Sequence, residues 1–187
     1  EAYEAGLSWQ MTESIRLFVR YADAFRFANV DENALTLPGV DFLKPQTSES
    51  IELGSEWLFD RGAVKVMFYD MTIDDEIAFD SFISANLNLP ESSRKGLVAE
   101  ADYALSPKLW MRVNYSYTDA EQESGSYQGN KVPFVTKHAA NLVFGYDLNQ
   151  QLSFYIDGNY TGSRYRFDDD ANAAGKLGSE KIVNANL

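Results

Sequence analysis

The sequence predicts an all-β fold, an antiparallel up-and-down meander of about nine strands belonging to a larger transmembrane β-barrel. Three observations predict it. Segments of about ten residues alternate apolar and polar side chains. Tight turns and long polar loops join these segments in strict turn-then-loop order. No stretch approaches the roughly 18 consecutive apolar residues of a membrane helix, so a bilayer would be crossed by strands.

Strands are expected over residues 3–11, 14–24, 48–59, 63–74, 93–105, 109–119, 138–148, 152–163 and 180–187. Successive side chains on a strand point to opposite faces, which sorts each segment into two phases. The second segment sets Ile15, Leu17, Val19 and Tyr21 against Arg16, Phe18 and Arg20. The sixth sets Leu109, Met111, Val113, Tyr115 and Tyr117 against Trp110, Arg112, Asn114, Ser116 and Thr118. The eighth sets Leu152, Phe154 and Ile156 against Ser153, Tyr155 and Asp157. One phase suits lipid and the other water, and about 9 to 11 tilted residues are enough to span a bilayer.

The short connections are Thr12-Glu13, Asp60-Arg61-Gly62, Ser106-Pro107-Lys108 and Asn149-Gln150, rich in residues that satisfy turn geometry. They fall at every second junction. Between them lie long segments at 25–47, 78–92, 120–137 and 164–179, which carry most of the Gly, Asn, Asp and Ser. In an up-and-down barrel this places the turns at the periplasmic rim and the loops outside the cell. Trp9, Trp57 and Phe59 near turn ends, and Tyr21, Tyr117 and Tyr160 near loop ends, fit the two aromatic girdles of such a wall.

The 187 residues, 45% hydrophobic and 24% charged, fit a folded domain, and the 14% aromatic share suits strands. A formal net charge of -12 argues against nucleic acid or an anionic membrane surface as a partner, because phosphate binding is driven by Lys and Arg. The absence of cysteine excludes a disulfide scaffold and a thiolate metal site.

Little in the chain points to bond chemistry. The single histidine, His138, leaves no triad and no histidine metal cluster within these residues. Asp168, Asp170 and Asn172 begin like a calcium loop, but Ala173 stands where the turn glycine belongs and Ser179 where the bidentate glutamate belongs. Glu52 and Glu56, and Glu100 and Asp102, share strand faces, and fall with Arg16, Arg20, Lys65 and Arg112 on the wet phase, where they read as lumen lining. No catalytic residue, metal site or cofactor is therefore expected. Loop residues joining aromatic area to positive charge are the candidates for ligand capture: Arg26, Phe27, Tyr127, Arg164, Tyr165 and Arg166.

The run Leu43-Lys44-Pro45-Gln46-Thr47-Ser48, followed by Glu52-Leu53-Gly54, resembles a signature of the TonB-dependent outer-membrane receptors. Further similar stretches follow in order: Tyr21-Ala22-Asp23-Ala24-Phe25-Arg26, Asp75-Glu76-Ile77, Ser93-Arg94-Lys95-Gly96-Leu97, Tyr115-Ser116-Tyr117-Thr118-Asp119-Ala120, the run 129–138, and Tyr160-Thr161-Gly162-Ser163-Arg164. The resemblance implies one partial barrel domain over 1–187, toward the C-terminal end of a wall of about 22 strands. It also implies that the plug domain and the final strands are absent from these residues.

What the resemblance implies for function is import without chemistry, in the bacterial outer membrane. The expected cargo is a small-molecule metal chelate, a ferric siderophore above all, or a cobalamin-like nutrient. The expected partners are outer-membrane lipid and, through the plug, the energising TonB, ExbB and ExbD complex. Two other readings stay open from the residues alone: a self-contained small barrel acting as a porin or adhesin, and a soluble β-sandwich that binds carbohydrate.

Overall fold

A computed structural model describes residues 2–187. The elements in chain order are β1 (Tyr3–Thr12), β2 (Ile15–Arg26), α1 (Val30–Ala34), β3 (Gln46–Phe59), β4 (Gly62–Asp74), β5 (Glu76–Asp80), β6 (Ala85–Leu89), β7 (Ser92–Ala104), β8 (Leu109–Gln122), β9 (His138–Asp147), β10 (Ser153–Thr161), β11 (Arg164–Tyr165), β12 (Lys176–Leu177) and β13 (Glu180–Asn186). Nine of the strands form one antiparallel sheet in the order β1-β2-β3-β4-β7-β8-β9-β10-β13. The remaining four form two hairpins, β5-β6 and β11-β12, within the loops.

Strand pairing explains why the alternation in sequence becomes two chemically distinct faces. Residues directly opposite in an antiparallel pair share a face, so the register can be followed across the whole sheet. One row runs Leu7, Val19, Leu53, Phe68, Leu97, Tyr117. Four residues along, another runs Ile15, Trp57, Val64, Ala101, Val113, Leu142. Leu53 is 59% exposed and Phe68 56%. A continuous apolar face of this extent is unsupportable in water and suits hydrocarbon. All six girdle residues lie on this outward phase, by their pairing with it.

The opposite face carries the row Gln10, Arg16, Glu56, Lys65, Glu100, Asn114, Asn141, Asn159 without a break. Its arginines are ion-paired: Arg16 with Glu56 at 2.5 Å, Arg20 with Glu4 at 2.9 Å and Glu52 at 3.1 Å, and Arg112 with Asp102 at 2.6 Å. Asparagines link the next strands, with Asn114 donating to Asn141 at 3.3 Å and Asn141 to Asn159 at 2.9 Å. The glycine of Glu52-Leu53-Gly54 has a steric reason on this face. The Phe18 ring lies over Gly54, and a Cβ there would overlap it.

Nine strands were expected in the wall and nine are found, with ends displaced by a few residues. The differences concentrate at the loop end. β8 continues to Gln122 because loop residues take over its pairing: the Gln122 amide donates to the Asn130 carbonyl, and Gly129 donates back to Gln122, both at 2.8 Å. The segments expected as plain loop contain α1 and the two small hairpins. α1 is started by a capping box, Asn29 accepting from the Glu32 amide while the Glu32 carboxylate accepts from the Asn29 amide, both at 2.8 Å.

Apart from glycines, the buried residues are found here too. Leu43, Ile73, Ile77, Ala85, Asn86, Ser92, Ser93, Ala120, Gln122 and Asp169 all lie at the loop end, so the loops form a packed assembly on one edge of the wall. Neither alternative reading matches this architecture. Among the described residues no second sheet faces the first as a sandwich requires, and β1 and β13 do not pair with each other to close a small barrel.

Candidate functional site

The run 43–47 is the strip on which the β5-β6 hairpin docks. The Leu43 amide donates to Asn33 Oδ1 at 2.9 Å, and the Lys44 amide donates to Asn88 Oδ1 at 2.9 Å. Asn88 Nδ2 donates to the carbonyls of Lys44 at 3.0 Å and Asp75 at 2.8 Å. Lys44 Nζ pairs with Asp75 at 3.2 Å, and Gln46 Oε1 accepts from the Ile77 amide at 3.2 Å. Two residues before Asn88 on β6, Asn86 donates to the Glu32 carbonyl at 2.9 Å, joining α1 to the same unit. Amide side chains serve here because they donate and accept at once, satisfying irregular backbone that no ladder covers.

The loop 162–179 is tied to this unit by a carboxylate and to the loop 123–137 by an asparagine. Asp168 accepts from the Ser81 amide at 3.2 Å and from its hydroxyl. Asp169, buried, accepts from the amides of Ala173 at 2.8 Å and Ala174 at 3.1 Å. Asn172 closes on Lys131, accepting from its amide at 2.7 Å and donating to its carbonyl at 2.9 Å. The acidic clusters of the sequence are thus used as loop fasteners. No group of three or more His, Cys, Asp or Glu among the described residues is arranged to hold a metal ion.

Two adjoining clefts of about 310 and 210 Å³ open between these loops, sharing Glu76, Asp80, Leu89, Val132, Pro133 and Asp170. The larger adds the rings of Phe79, Phe134 and Phe167. In its lining Arg94 Nη2 donates to both carboxylate oxygens of Glu76, at 3.1 and 2.8 Å. Burial pushes the Asp170 carboxyl above the usual carboxylate range, helped by the charges of Asp168, Asp80 and Asp169 and opposed by a hydrogen bond from Gln122. The folded loops therefore bind a proton that the unfolded chain releases, and this stability is lost as pH rises through the raised value. Asp170→Asn keeps an acceptor for Gln122 and is expected to remove that pH slope, leaving protease protection of 162–179 at pH 7 equal or better. A loss of protection at neutral pH would contradict this.

The six capture candidates have distinct surroundings. Arg26 is engaged by Glu32 at 2.8 and 2.9 Å. The Asn29 backbone amide, with the Arg26 guanidinium, holds the Glu32 carboxyl below its usual range. Phe27, 68% exposed, packs edge-on to Phe25 at 5.2 Å. Tyr127 lines the smaller cleft, and Arg166 is exposed with no side-chain partner among the described residues. Arg164 and Tyr165 are brought together on β11 in a third pocket, Arg164 stacked on Phe134 at 5.0 Å and Tyr165 under Lys176 at 4.7 Å. The sequence reasoning passed over Asn86, Asn88, Phe79, Phe134 and Phe167. The alternation Asn86-Leu87-Asn88-Leu89 is the signal from which the hairpin was readable.

Residues 2–187 match the family model described as "TonB dependent receptor-like, beta-barrel". The ferrichrome outer membrane transporter/phage receptor of Escherichia coli is 26% identical over 193 residues, covering 98% of this chain and 24% of the relative. The probable TonB-dependent siderophore receptor PiuA of Acinetobacter baumannii is 22% identical over 184 residues, covering 87% of this chain and 24% of the relative. The ferric yersiniabactin uptake receptor FyuA of Yersinia pestis superposes with a TM-score of 0.79 at 18% identity, covering 97% of this chain and 28% of that one. The chain spans about a quarter of the length of the relatives it matches. The nine-stranded sheet with its sorted turns and loops is therefore a stretch of outer-membrane barrel wall, and the chain belongs to the TonB-dependent receptor β-barrel family.

Proposed function

We propose that this wall is part of a receptor that imports a scarce nutrient across the outer membrane, a ferric siderophore or other metal chelate or a cobalamin-like compound, energised by the TonB complex. The plug and remaining strands of that receptor lie outside these residues. The observation that carries this reading is the family match over 2–187, joined to a loop end built as a packed, cleft-bearing assembly instead of a fringe of independent loops. The relatives named for ferrichrome and ferric yersiniabactin transport support the cargo class. Of the paired carboxylates of the wet face, Glu56, Glu52 and Asp102 are neutralised by Arg16, Arg20 and Arg112, which supports a lining role and transport over catalysis.

Within the loops, Phe27, Tyr127 and Arg166 are accessible for cargo contact. Arg26 contributes by holding α1 in place. The test is uptake of radiolabelled ferric chelates by iron-limited cells deleted for the receptor and complemented with it. Uptake of one chelate is expected to be restored only when the TonB complex is intact. Triple alanine substitution of Phe27, Tyr127 and Arg166 is expected to weaken cell-surface binding about tenfold or more, as loss of aromatic and arginine anchors does. Uptake that is independent of TonB would favour a passive barrel.

A further inference from the structure

The larger cleft, of about 310 Å³, lies on the lumen side of the wall, because Arg94 in its lining shares the inward phase of β7 with Glu100. Its apolar part is three rings, Phe79, Phe134 and Phe167, left 41%, 53% and 59% exposed. Phe134 and Phe167 meet edge to face at 6.2 Å. Apolar surface gathered and left open in this way marks a binding surface. Phe134 is placed there at a backbone cost, since its φ of 62° is left-handed, a conformation that bulky residues rarely adopt. Its amide donates to the Tyr165 carbonyl at 3.1 Å, which fixes the ring against the 162–179 loop.

The charge of the cleft is one-sided. Arg94 is the only basic residue in its lining among the described residues, and Glu76 cancels it. Asp80, Asp168 and Asp170 remain, with no ion pair among the described residues. Each spends one carboxylate oxygen on the fold: Asp80 Oδ1 accepts from the Phe82 amide at 2.8 Å, Asp168 Oδ2 from the Ser81 amide at 3.2 Å, and Asp170 Oδ1 from Gln122 Nε2 at 3.1 Å. The other oxygen of each has no partner. Among the described residues the one buried side-chain N or O without a hydrogen bond belongs to Arg164, so these three oxygens are open to solvent. Burial, then the charges of Asp168, Asp80 and Asp169, hold the Asp170 carboxyl above its usual range, and a cation seated among them would favour its ionised form.

Carboxylates set around aromatic rings hold an organic cation, the rings through their negative faces and the carboxylates through their charge. Phe134 already carries the Arg164 guanidinium on one side at 5.0 Å, which leaves Phe79 and Phe167 as the rings without a cation. An anionic group would meet three carboxylates that no cation neutralises. The volume is at the low end of the range for ligand clefts, about 300–1,000 Å³, and suits one arm of a chelate. We propose that this cleft is an organic-cation site, which takes a protonated amine or quaternary ammonium arm of the cargo and so selects chelates bearing a positive group over anionic ones. The identity of the guest as cargo rests on the import reading; the chemistry of the site rests on these residues alone.

The test titrates the full-length receptor in detergent, labelled with fluorophenylalanine at position 167, with choline and with its uncharged carbon isostere dimethylbutanol, following the fluorine signal by NMR. Choline is expected to bind about tenfold or more tightly than the isostere. Asp80→Asn with Asp168→Asn and Asp170→Asn keeps an acceptor for each amide and is expected to bring the two compounds within about twofold. Phe79→Leu keeps every carboxylate and is expected to weaken choline about threefold while leaving the isostere unchanged, a readout that does not depend on the triple variant folding. Asp60→Asn, in the β3-β4 turn, is expected to change neither. Equal binding of the two compounds, binding of neither, or a choline preference that survives the carboxylate substitutions would overturn the site. Choline binding requires neither metal nor TonB, so a choline preference in a receptor that restores no chelate uptake would sink the import reading alone, and restored uptake with no choline preference would sink the cation site alone.

Discussion

Val113→Arg is expected to destabilise the folded receptor by about 2–4 kcal/mol, the cost of an arginine on the lipid face near the middle of a barrel wall. Val113 stands in the outward row between Ala101 and Leu142. Its neighbour Asn114 points the other way and donates to Asn141. Asn114→Arg is therefore expected to cost less than about 1 kcal/mol, since an arginine there enters a lining that already carries Arg16, Lys65 and Arg112. Denaturant unfolding of the full receptor in lipid vesicles measures both. The contrast between adjacent residues matters more than either value, because a generic penalty for added charge would strike both alike.

The second large effect is expected at the loop end. Asn88→Ala removes the acceptor for the Lys44 amide and the donor to two carbonyls, those of Lys44 and Asp75. Leaving part-buried backbone groups unpaired costs about 1–3 kcal/mol. The loss falls on the docking of the β5-β6 hairpin, not on the sheet. Amide exchange at 43–47 and 76–89 should accelerate about tenfold or more while β7 and β8 keep their protection. If the exchange spread evenly over the sheet, or did not change, the hairpin would not be held by Asn88 as described.

This division between wall and loops also marks what was legible in the sequence. The wall was legible because its determinants are local and repeated: Leu109 to Thr118 alternate strictly, and the same phase returns in every partner strand. The loop assembly was not, because its determinants are distant. β5 and β6 are five residues each, too short to announce themselves, and are held by the Glu32 carbonyl and by Lys44 from another loop. Arg26 read as free charge, yet its partner Glu32 lies six residues on, and the Asn29-to-Glu32 capping box that positions it was visible. The third pocket joins Asp119 and Lys131 to Arg164 and Lys176, which only the folded loops bring together.

The central claim is that odd and even positions of β8 face lipid and lumen respectively. With no cysteine in the chain, single spin labels can be placed through Met111→Cys, Arg112→Cys, Val113→Cys and Asn114→Cys, in a full receptor otherwise free of cysteine and reconstituted in vesicles. Accessibility to lipid-soluble oxygen is predicted to be high at 111 and 113 and low at 112 and 114, with a water-soluble nickel chelate reporting the reverse. Equal accessibility at all four positions, or the opposite phase, would contradict the placement of this sheet in the membrane.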